Sequence, residues 1–266
     1  MVVFPGCKIN IGLTLVDRRP DGYHNLESVF YPLNLTDILE VVPHDHFAIH
    51  TSGLPIKGDH SDNLVVKAFY DLQDDFDLPP VKIHLHKVVP MGAGLGGGSA
   101  DGAAMLVLLN NLFDLNISNK ELERRADKLG SDCAFFIKNK AAHITGKGEH
   151  VQPISFDLSE YFIQLINPGI HISTAEAFGG IQPGKRFFDL NWILNHEPAL
   201  WLPKVFNDFE DTVLDGNPEI DEIKQKLIEQ GALYVSMTGT GSSVYGIFNK
   251  KPNPLNVGYF EWINSL

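Results

Sequence analysis

The feature that most constrains the fold of this 266-residue chain is a run of glycines between two apolar segments. Five of the seven residues over 92–98 are glycine; an alternating stretch precedes them, and a stretch rich in alanine, methionine and leucine follows over 99–112. The alternation over 81–88 predicts a strand, and the second stretch predicts a buried helix. This order predicts a loop whose unobstructed N–H groups, with the positive end of the helix dipole, bind a phosphate-like anion.

The same segment admits two other interpretations. Gly92, Gly94 and Gly97 match the G-x-G-x-x-G pattern of dinucleotide-binding oxidoreductases, in which a strand and an acidic ribose ligand follow the helix. Here a second helical pattern over 119–129 follows instead, so the required strand is missing. No Lys-Ser or Lys-Thr pair follows the glycines, so the loop is not a Walker A motif. A flexible loop is the least specific alternative.

Charge and cysteine usage exclude several classes of protein. A net charge of −12 disfavours binding to a phosphate backbone, and no window approaches the ~18 apolar residues of a membrane span. Cys7 and Cys133 lie far apart and in no C-x-x-C pair, which argues against a disulfide framework or a zinc site. We therefore expect a soluble cytoplasmic protein, monomeric or homodimeric, with neither membrane nor nucleic-acid partners.

The pattern of elements indicates two domains. Strand patterns over 8–16, 26–35, 38–42 and 47–50 come first, and helical patterns dominate from residue 62 to residue 129. The glycine-rich, helix-rich part ends near His150. We expect one domain over 1–149, which includes the nucleotide site, and a second over 150–266.

Further motifs lie on both sides of the glycines. They are Phe4-Pro-Gly-Cys-Lys-Ile-Asn-Ile-Gly-Leu, Arg19-Pro-Asp-Gly-Tyr-His-Asn-Leu-Glu-Ser, Leu129-Gly-Ser-Asp-Cys-Ala-Phe-Phe and Met237-Thr-Gly-Thr-Gly-Ser-Ser-Val-Tyr-Gly. Together with the glycine segment, they resemble the motifs of the GHMP kinases, the superfamily named for galacto-, homoserine, mevalonate and phosphomevalonate kinases. The matches extend from Pro5 to Gly246 and therefore cover nearly the whole chain.

The resemblance implies a mixed α/β (α+β) two-domain GHMP kinase fold. Its N-terminal domain resembles ribosomal protein S5 domain 2, its C-terminal α+β domain is ferredoxin-like, and the active site lies in the cleft between them. The N-terminal motifs resemble the branch that uses ATP and Mg²⁺ to phosphorylate the 2-hydroxyl of a cytidine-diphosphate-linked methylerythritol in isoprenoid synthesis. A GHMP kinase with another small alcohol acceptor, and a non-catalytic or dinucleotide-binding protein, are the alternatives.

The resemblance also assigns residues to the site. On the nucleotide side it implies Asn63, Lys87, Pro90, Gly92, Gly94, Leu95, Gly96, Gly97, Gly98 and Ser99. On the acceptor side it implies Asn10, Tyr23, His24, Phe30, Thr174 and Phe178. Ser99 is the leading candidate for a Mg²⁺ ligand because its hydroxyl stands at the end of the glycine segment. Tyr23 and Phe178 would hold the two faces of the cytosine ring. The non-functional alternatives are that Tyr23 is a turn residue and that Phe178 packs in the core.

Lys8 and Asp132 are the expected catalytic residues. From composition alone, Lys8 would be a solvated lysine on a strand, whereas Asp132 could equally be a partly desolvated functional carboxylate or a capping or loop aspartate. The resemblance instead implies that Asp132 accepts the proton of the acceptor hydroxyl, while Lys8 keeps the carboxylate ionised and offsets charge on the transferring phosphoryl group.

Overall fold

The computed structural model describes residues 1–266 except for the side chain of Thr174. The strands are β1 Val2–Val3, β2 Cys7–Arg18, β3 His24–Leu33, β4 Ile38–Pro43, β5 Ala48–Gly53, β6 Val81–Lys87, β7 Ala142–Thr145, β8 His150–Pro153, β9 Phe162–Asn167, β10 Tyr234–Met237, β11 Val244–Phe248 and β12 Phe260–Ser265. The helices are α1 Leu64–Phe76, α2 Gly97–Leu112, α3 Asn119–Leu129, α4 Cys133–Lys138, α5 Thr174–Gly179, α6 Leu190–Asn195, α7 Glu210–Gly216 and α8 Pro218–Glu229, with 3₁₀ turns at His60–Asp62 and Pro198–Leu200.

The chain forms two compact units, and both are discontinuous in sequence. The first compact unit contains residues 1–8, 32–91 and 96–140, and the second contains residues 9–31, 92–95 and 141–266. Both units therefore contain residues from the first 149, so the contacts do not follow a single division near His150. The glycine segment itself is shared, because residues 92–95 group with the second unit and residue 96 onward with the first.

The first compact unit is built on a four-stranded sheet in the order β1-β4-β6-β5. Only β5 and β6 pair in parallel, while β6 pairs antiparallel with β4. Val81, Ile83 and Leu85 are buried, as the alternation predicts. This sheet is not the doubly wound parallel sheet of a dinucleotide-binding domain, and α3 follows α2 without an intervening strand. The oxidoreductase alternative is therefore wrong.

Helix α2 is buried almost all round, as its apolar sequence predicts. It begins at Gly97, two residues before the expected start, so two glycines belong to its first turn. Further along, a Cβ on Gly102 would lie only 2.8 Å from the Cβ of Leu64 on α1. The absence of a side chain at Gly102 lets the two helices approach closely.

The second compact unit contains two sheets. An antiparallel sheet in the order β10-β11-β9-β12 shares a core with α8, to which Ile166, Val244 and Leu227 contribute. The other sheet has the order β2-β3-β7-β8, and the first residues of β2 and the last of β3 belong to the first unit. Among the helices described here, none is long and apolar enough to cross a bilayer.

Candidate active site

The glycine segment has the backbone that an anion cradle requires. Gly92, Gly94 and Gly96 have φ values of 62°, 76° and 69°, in the left-handed region that favours glycine. Gly96 is the N-cap of α2, and the N–H of Ala100 makes the first helical hydrogen bond, to the Gly96 carbonyl at 2.9 Å. Helix geometry therefore leaves the N–H groups at positions 97–99 without intrahelical acceptors, at the positive end of the helix dipole.

The surroundings of these glycines differ from one position to the next. A Cβ on Gly96 would lie 3.2 Å from the Phe136 ring and 3.4 Å from Cε of Lys8. A Cβ on Gly97 would lie 2.8 Å from the Val89 side chain. A Cβ on Gly98 would meet nothing within 4 Å. Gly96 and Gly97 are therefore enclosed by side chains, whereas open space lies beside Gly98.

A second glycine-containing loop holds the first half of the segment. The Thr238 hydroxyl donates a hydrogen bond to the Gly94 carbonyl at 3.1 Å, and the Ser243 N–H donates to the Ala93 carbonyl at 3.3 Å. A Cβ on Gly94 would come within 1.9 Å of the Thr238 carbonyl oxygen. Only glycine fits at position 94, and the loop over 238–243 fixes the path of the backbone there.

Lys8 and Asp132 lie together in the first compact unit. The Lys8 ammonium is 3.7 Å from a carboxylate oxygen of Asp132, and the side chains are 4% and 28% exposed. Burial lowers the pKa of Lys8, and the charge of Asp132 opposes the shift. Asp132 is the N-cap of α4, but its carboxylate makes no capping hydrogen bond. Lys8 is thus not a solvated surface lysine, and the carboxylate of Asp132 is not used as a cap.

Lys87 lies in an environment that the sequence did not indicate. Its ammonium is buried between the carboxylates of Asp37 and Asp101, with 2.7 Å to Asp101 and a shorter contact to Asp37. Burial alone would lower the pKa of Lys87, but the charges of Asp101 and Asp37 outweigh it and raise the pKa. Burial also raises the pKa of Asp101 to about 7, and Lys87 opposes that shift. Asp101 is the only charged residue of the apolar helix α2, a signal that could have indicated a buried role.

The other nucleotide-side residues have mixed environments. The Asn63 side chain caps α1 by accepting a hydrogen bond from the Val65 N–H at 3.0 Å. Pro90 and Leu95 are both buried. Ser99 is half-buried in the first turn of α2. Burial raises the pKa of the Cys133 thiol to about 12, and a hydrogen bond with Ser99 opposes this shift.

Two of the acceptor-side residues are used within the second compact unit. The Asn10 side chain donates to the Ser28 hydroxyl at 2.9 Å and accepts from the Gly239 N–H at 2.9 Å. It therefore links β2 to the 238–243 loop. Phe30 is buried in β3, where it pairs with Ala142. Thr174 lies outside the described residues.

The aromatic residues expected to hold a base are partly brought together. The imidazole of His24 stacks on the Phe178 ring, with centroids 5.0 Å apart and an interplanar angle of 25°. Phe178 also meets Phe209 edge to face at 4.8 Å. Tyr23 is 61% exposed, and the Lys147 ammonium lies 5.4 Å from the centroid of its ring. His24, rather than Tyr23, is thus the ring stacked on Phe178.

Comparison with known proteins places these features in a family. The profile of the GHMP kinases N terminal domain matches residues 63–140, and that of the GHMP kinases C terminal domain matches residues 192–258. The 4-diphosphocytidyl-2-C-methyl-D-erythritol kinase of Bacteroides fragilis is 47% identical over 253 residues, which cover 94% of this chain and 92% of that protein. Its counterpart from Bacteroides thetaiotaomicron is 48% identical over 252 residues, covering 93% and 92%.

Solved structures agree with the sequence comparison. A crystal structure of 4-(cytidine 5'-diphospho)-2C-methyl-D-erythritol kinase has a TM-score of 0.79 at 30% identity, covering 92% of this chain and 89% of that one. The mevalonate kinase of Methanococcus jannaschii has a TM-score of 0.64 at 12% identity, covering 93% and 90%, which shows a shared fold alone. The chain therefore belongs to the GHMP kinases and, within them, to the family of the 4-diphosphocytidyl-2-C-methyl-D-erythritol kinases.

Proposed function

We propose that this protein transfers the γ-phosphoryl group of ATP to the 2-hydroxyl of 4-diphosphocytidyl-2-C-methyl-D-erythritol, a step of the non-mevalonate route to isoprenoid precursors. The products are ADP and the 2-phosphate of the acceptor. The ion pair of Lys8 and Asp132, with Gly96 at the start of α2 packed against Lys8, is the observation that carries the proposal. A carboxylate and a cation beside a backbone suited to phosphate groups support this reaction.

In the proposed reaction, the oxygen of the acceptor hydroxyl attacks the γ-phosphorus of ATP, and Asp132 accepts the hydroxyl proton. The bond between the γ-phosphorus and the oxygen that bridges it to the β-phosphate breaks, and ADP leaves. The carboxylate is partly exposed and makes no capping hydrogen bond, so it can receive a hydroxyl. Lys8, buried at 3.7 Å from it, stabilises the carboxylate and offsets charge on the phosphoryl group. Catalysis would otherwise depend on alignment of the two substrates.

The nucleotide would be bound mainly by backbone. The N–H groups at positions 97–99 face the phosphates in this proposal, and the open space beside Gly98 admits them. Mg²⁺ prefers hard oxygen ligands and usually keeps water and substrate phosphates in its shell. The Ser99 hydroxyl fits that donor set, and no group of three or more metal-ligating His, Cys, Asp or Glu side chains occurs among the described residues. When bound, Mg²⁺ would neutralise charge on the phosphates.

We assign the acceptor's cytosine to the aromatic residues of the second compact unit. His24 and Phe178 are stacked, and Tyr23 offers an exposed ring nearby in sequence. Base stacking on an aromatic ring is worth ~1–3 kcal/mol. The Asn10 amide is used by Ser28 and Gly239, so its contribution would be to hold the 238–243 loop. The roles of Phe30 and Thr174 stay predictions.

Two broader assignments complete the proposal. We assign the protein to the cytoplasm because both of its cysteines are free thiols, as a reducing compartment requires. We retain a boundary between 1–149 and 150–266 as the division into family domains, since each matched profile falls on one side of it.

The decisive experiment incubates the protein with Mg-ATP and a panel of acceptors, and follows ADP release and the position of the new phosphate by ³¹P NMR. We expect turnover with the cytidine-linked methylerythritol, much slower turnover with its uridine analogue, and none with homoserine or mevalonate. Phe178→Leu should raise the acceptor KM and leave the ATP KM unchanged. Equal turnover of cytidine- and uridine-linked acceptors would contradict the base assignment, and turnover of another alcohol alone would contradict the acceptor.

A further inference from the structure

The side-chain cluster of Lys87, Asp37 and Asp101 is the part of the nucleotide region that the proposed reaction does not use. Lys87 is the last residue of β6, and its side chain is 1% exposed. Asp37, which precedes β4, is fully buried, and Asp101 on α2 is 2% exposed. The Lys87 ammonium donates hydrogen bonds to both carboxylates. Two of the three N–H donors of Lys87 are therefore used within the cluster.

The cluster connects the two ends of the glycine segment. One oxygen of Asp37 accepts hydrogen bonds from the N–H groups of Val88 and Val89, at 2.5 and 2.8 Å, and so holds the chain where it leaves β6. Asp101 lies in the second turn of α2, four residues after Gly97. A Cβ on Gly97 would lie 3.5 Å from the Lys87 ammonium, so Lys87 lies directly beneath the helix start.

The energetics indicate a role other than stability. Burying two carboxyl groups and an ammonium together is costly, because each group loses its hydration. Oδ1 of Asp101 is buried and has no hydrogen-bond partner among the described residues. A hydrophobic trio would pack at lower cost, but it would not define the distance between a strand end and a helix end. Charged hydrogen bonds are short and directional, so they do define it.

We propose that Lys87, Asp37 and Asp101 form a buried ionic clamp that fixes the start of α2 against the end of β6 and so presets the N–H groups at positions 97–99 for the phosphates of ATP. Lys87 is then a positioning residue and not a ligand of the nucleotide. The clamp rests on the proposed binding of ATP at this segment. Its effect is specific to the nucleotide, because none of its hydrogen bonds reaches the aromatic residues assigned to the cytosine.

The test compares three variants with the unaltered enzyme. Lys87→Met combined with Asp101→Leu removes the ammonium together with one of its carboxyl partners, so two buried carboxyl groups are not left side by side without a cation. Asp101→Asn keeps an acceptor for Lys87. Asp71→Asn is the control, because Asp71, whose side chain is 25% exposed, pairs at 2.7 Å with the buried Arg125 in another ionic cluster, between α1 and α3.

We expect the double variant to bind Mg-ATP about tenfold or more weakly, measured both as the calorimetric Kd and as the KM for Mg-ATP. The KM for the acceptor should change by less than about threefold, since only the nucleotide loses its preset site. Amide hydrogen exchange at Ala100, whose N–H donates the first helical hydrogen bond to the Gly96 carbonyl, should accelerate in the same variant. Asp101→Asn should retain most of the ATP affinity. Asp71→Asn should lower the Tm and leave the ATP affinity unaltered.

Three results would overturn the clamp. The first is a folded double variant that binds Mg-ATP as the unaltered enzyme does. The second is an Asp101→Asn protein that loses as much affinity as the double variant, and the third is an equal loss in the Asp71→Asn control. Failure of the unaltered enzyme to bind Mg-ATP would instead refute the proposed function, so the two failures are distinguishable.

Discussion

Lys8 and Asp132 are far apart in sequence, yet their charged groups are 3.7 Å apart in the fold. Neither residue carries a local pattern that would indicate this contact. From composition alone, a surface lysine was the better interpretation of Lys8, and a capping or loop aspartate was one of two open interpretations of Asp132. The resemblance to the GHMP kinases predicted the pair. The structure adds that Lys8 is buried and that the Asp132 carboxylate is not used as a cap.

The catalytic assignment predicts the kinetics of three variants. Asp132→Asn is nearly isosteric but a poor base, so kcat should fall by ~10²–10⁴-fold, the usual contribution of a positioned base. Lys8→Met should also lower kcat. The double variant should lose less than the product of the two losses, because the residues act as one unit. Steady-state kinetics with calorimetric affinities check this, and an Asp132→Asn enzyme within about threefold of normal kcat would make Asp132 structural.

His143 gives the fold a predictable sensitivity to acid. It lies on β7, its ring is parallel to Phe188 with centroids 5.7 Å apart, and burial lowers its pKa while Glu27 opposes the shift. Below the unfolded histidine pKa of about 6.5, the unfolded chain binds more protons than the folded one, so stability falls as the pH drops towards the folded pKa. This contribution is fully present above pH ~6.5.

His143→Phe keeps the stacked ring and removes the titration. We therefore expect the difference in Tm between neutral and mildly acidic buffer to be smaller in this variant, measured by differential scanning calorimetry. The exposed His60→Gln variant serves as the control and should behave as the unaltered protein. An unchanged acid sensitivity in His143→Phe would show that other groups cause it.

At the scale of elements, helix α2 shows where local propensity is overridden. Glycine is a poor helix former, so the sequence predicted a start at Ser99, but the helix begins at Gly97. Tertiary packing requires a glycine at this helical position, because a Cβ on Gly97 would lie 2.8 Å from the Val89 side chain. Helix α3 was predicted with its observed bounds, because Ser118 caps it, its face is amphipathic and Gly130 ends it.

Substitutions at Gly98 in α2 and at its N-cap Gly96 should affect stability and nucleotide binding differently. Gly98→Ala places a methyl group in open space within a helix, so it should stabilise the fold by up to ~1 kcal/mol, since alanine is the better helix former. The same methyl group should obstruct the approach of the phosphates and so lower the affinity for Mg-ATP. Gly96→Val should weaken Mg-ATP more and also destabilise the protein, because φ is 69° and Phe136 is close.

Thermal denaturation and calorimetric titration with Mg-ATP separate the two effects. Acceptor affinity should be nearly the same in both variants. A Gly98→Ala protein that is more stable and binds Mg-ATP normally would remove that backbone position from the cradle.

The partners of Lys87 could not be predicted because no local pattern connects them. Asp37 precedes β4, fifty positions before Lys87, and its hydrogen bonds depend on how β4 and β6 pair. In the same way, the stacking of His24 on Phe178 depends on the arrangement of β3 and α5, and the expected contacts of Tyr23 and Phe178 with a base stay predictions. Local motifs and helix periodicity were thus sufficient to predict elements, whereas contacts made through tertiary pairing could not be predicted from the sequence.

At the scale of the whole molecule, the two thiols report on the integrity of the first compact unit. Cys7 and Cys133 both belong to it, both are buried, and burial raises the pKa of each to about 12. Because the thiolate is the reactive form, iodoacetamide at about pH 8 should label neither cysteine in the native protein and both in denaturant. Mass spectrometry would measure this. Mg-ATP should slow labelling under mildly destabilising conditions, since it binds the folded form.

The interleaved course of the chain has a consequence for its biosynthesis. The residues of the first compact unit are all synthesised by residue 140, whereas strands β2 and β3 are made among the first and belong to a sheet completed by β7 and β8, which follow that unit in the chain. One edge of β3 therefore stays unpaired until β7 has been synthesised, and pairings so distant in sequence form slowly. A messenger RNA truncated after the first half of its coding sequence would therefore yield a chain with exposed strand edges, which are prone to aggregation.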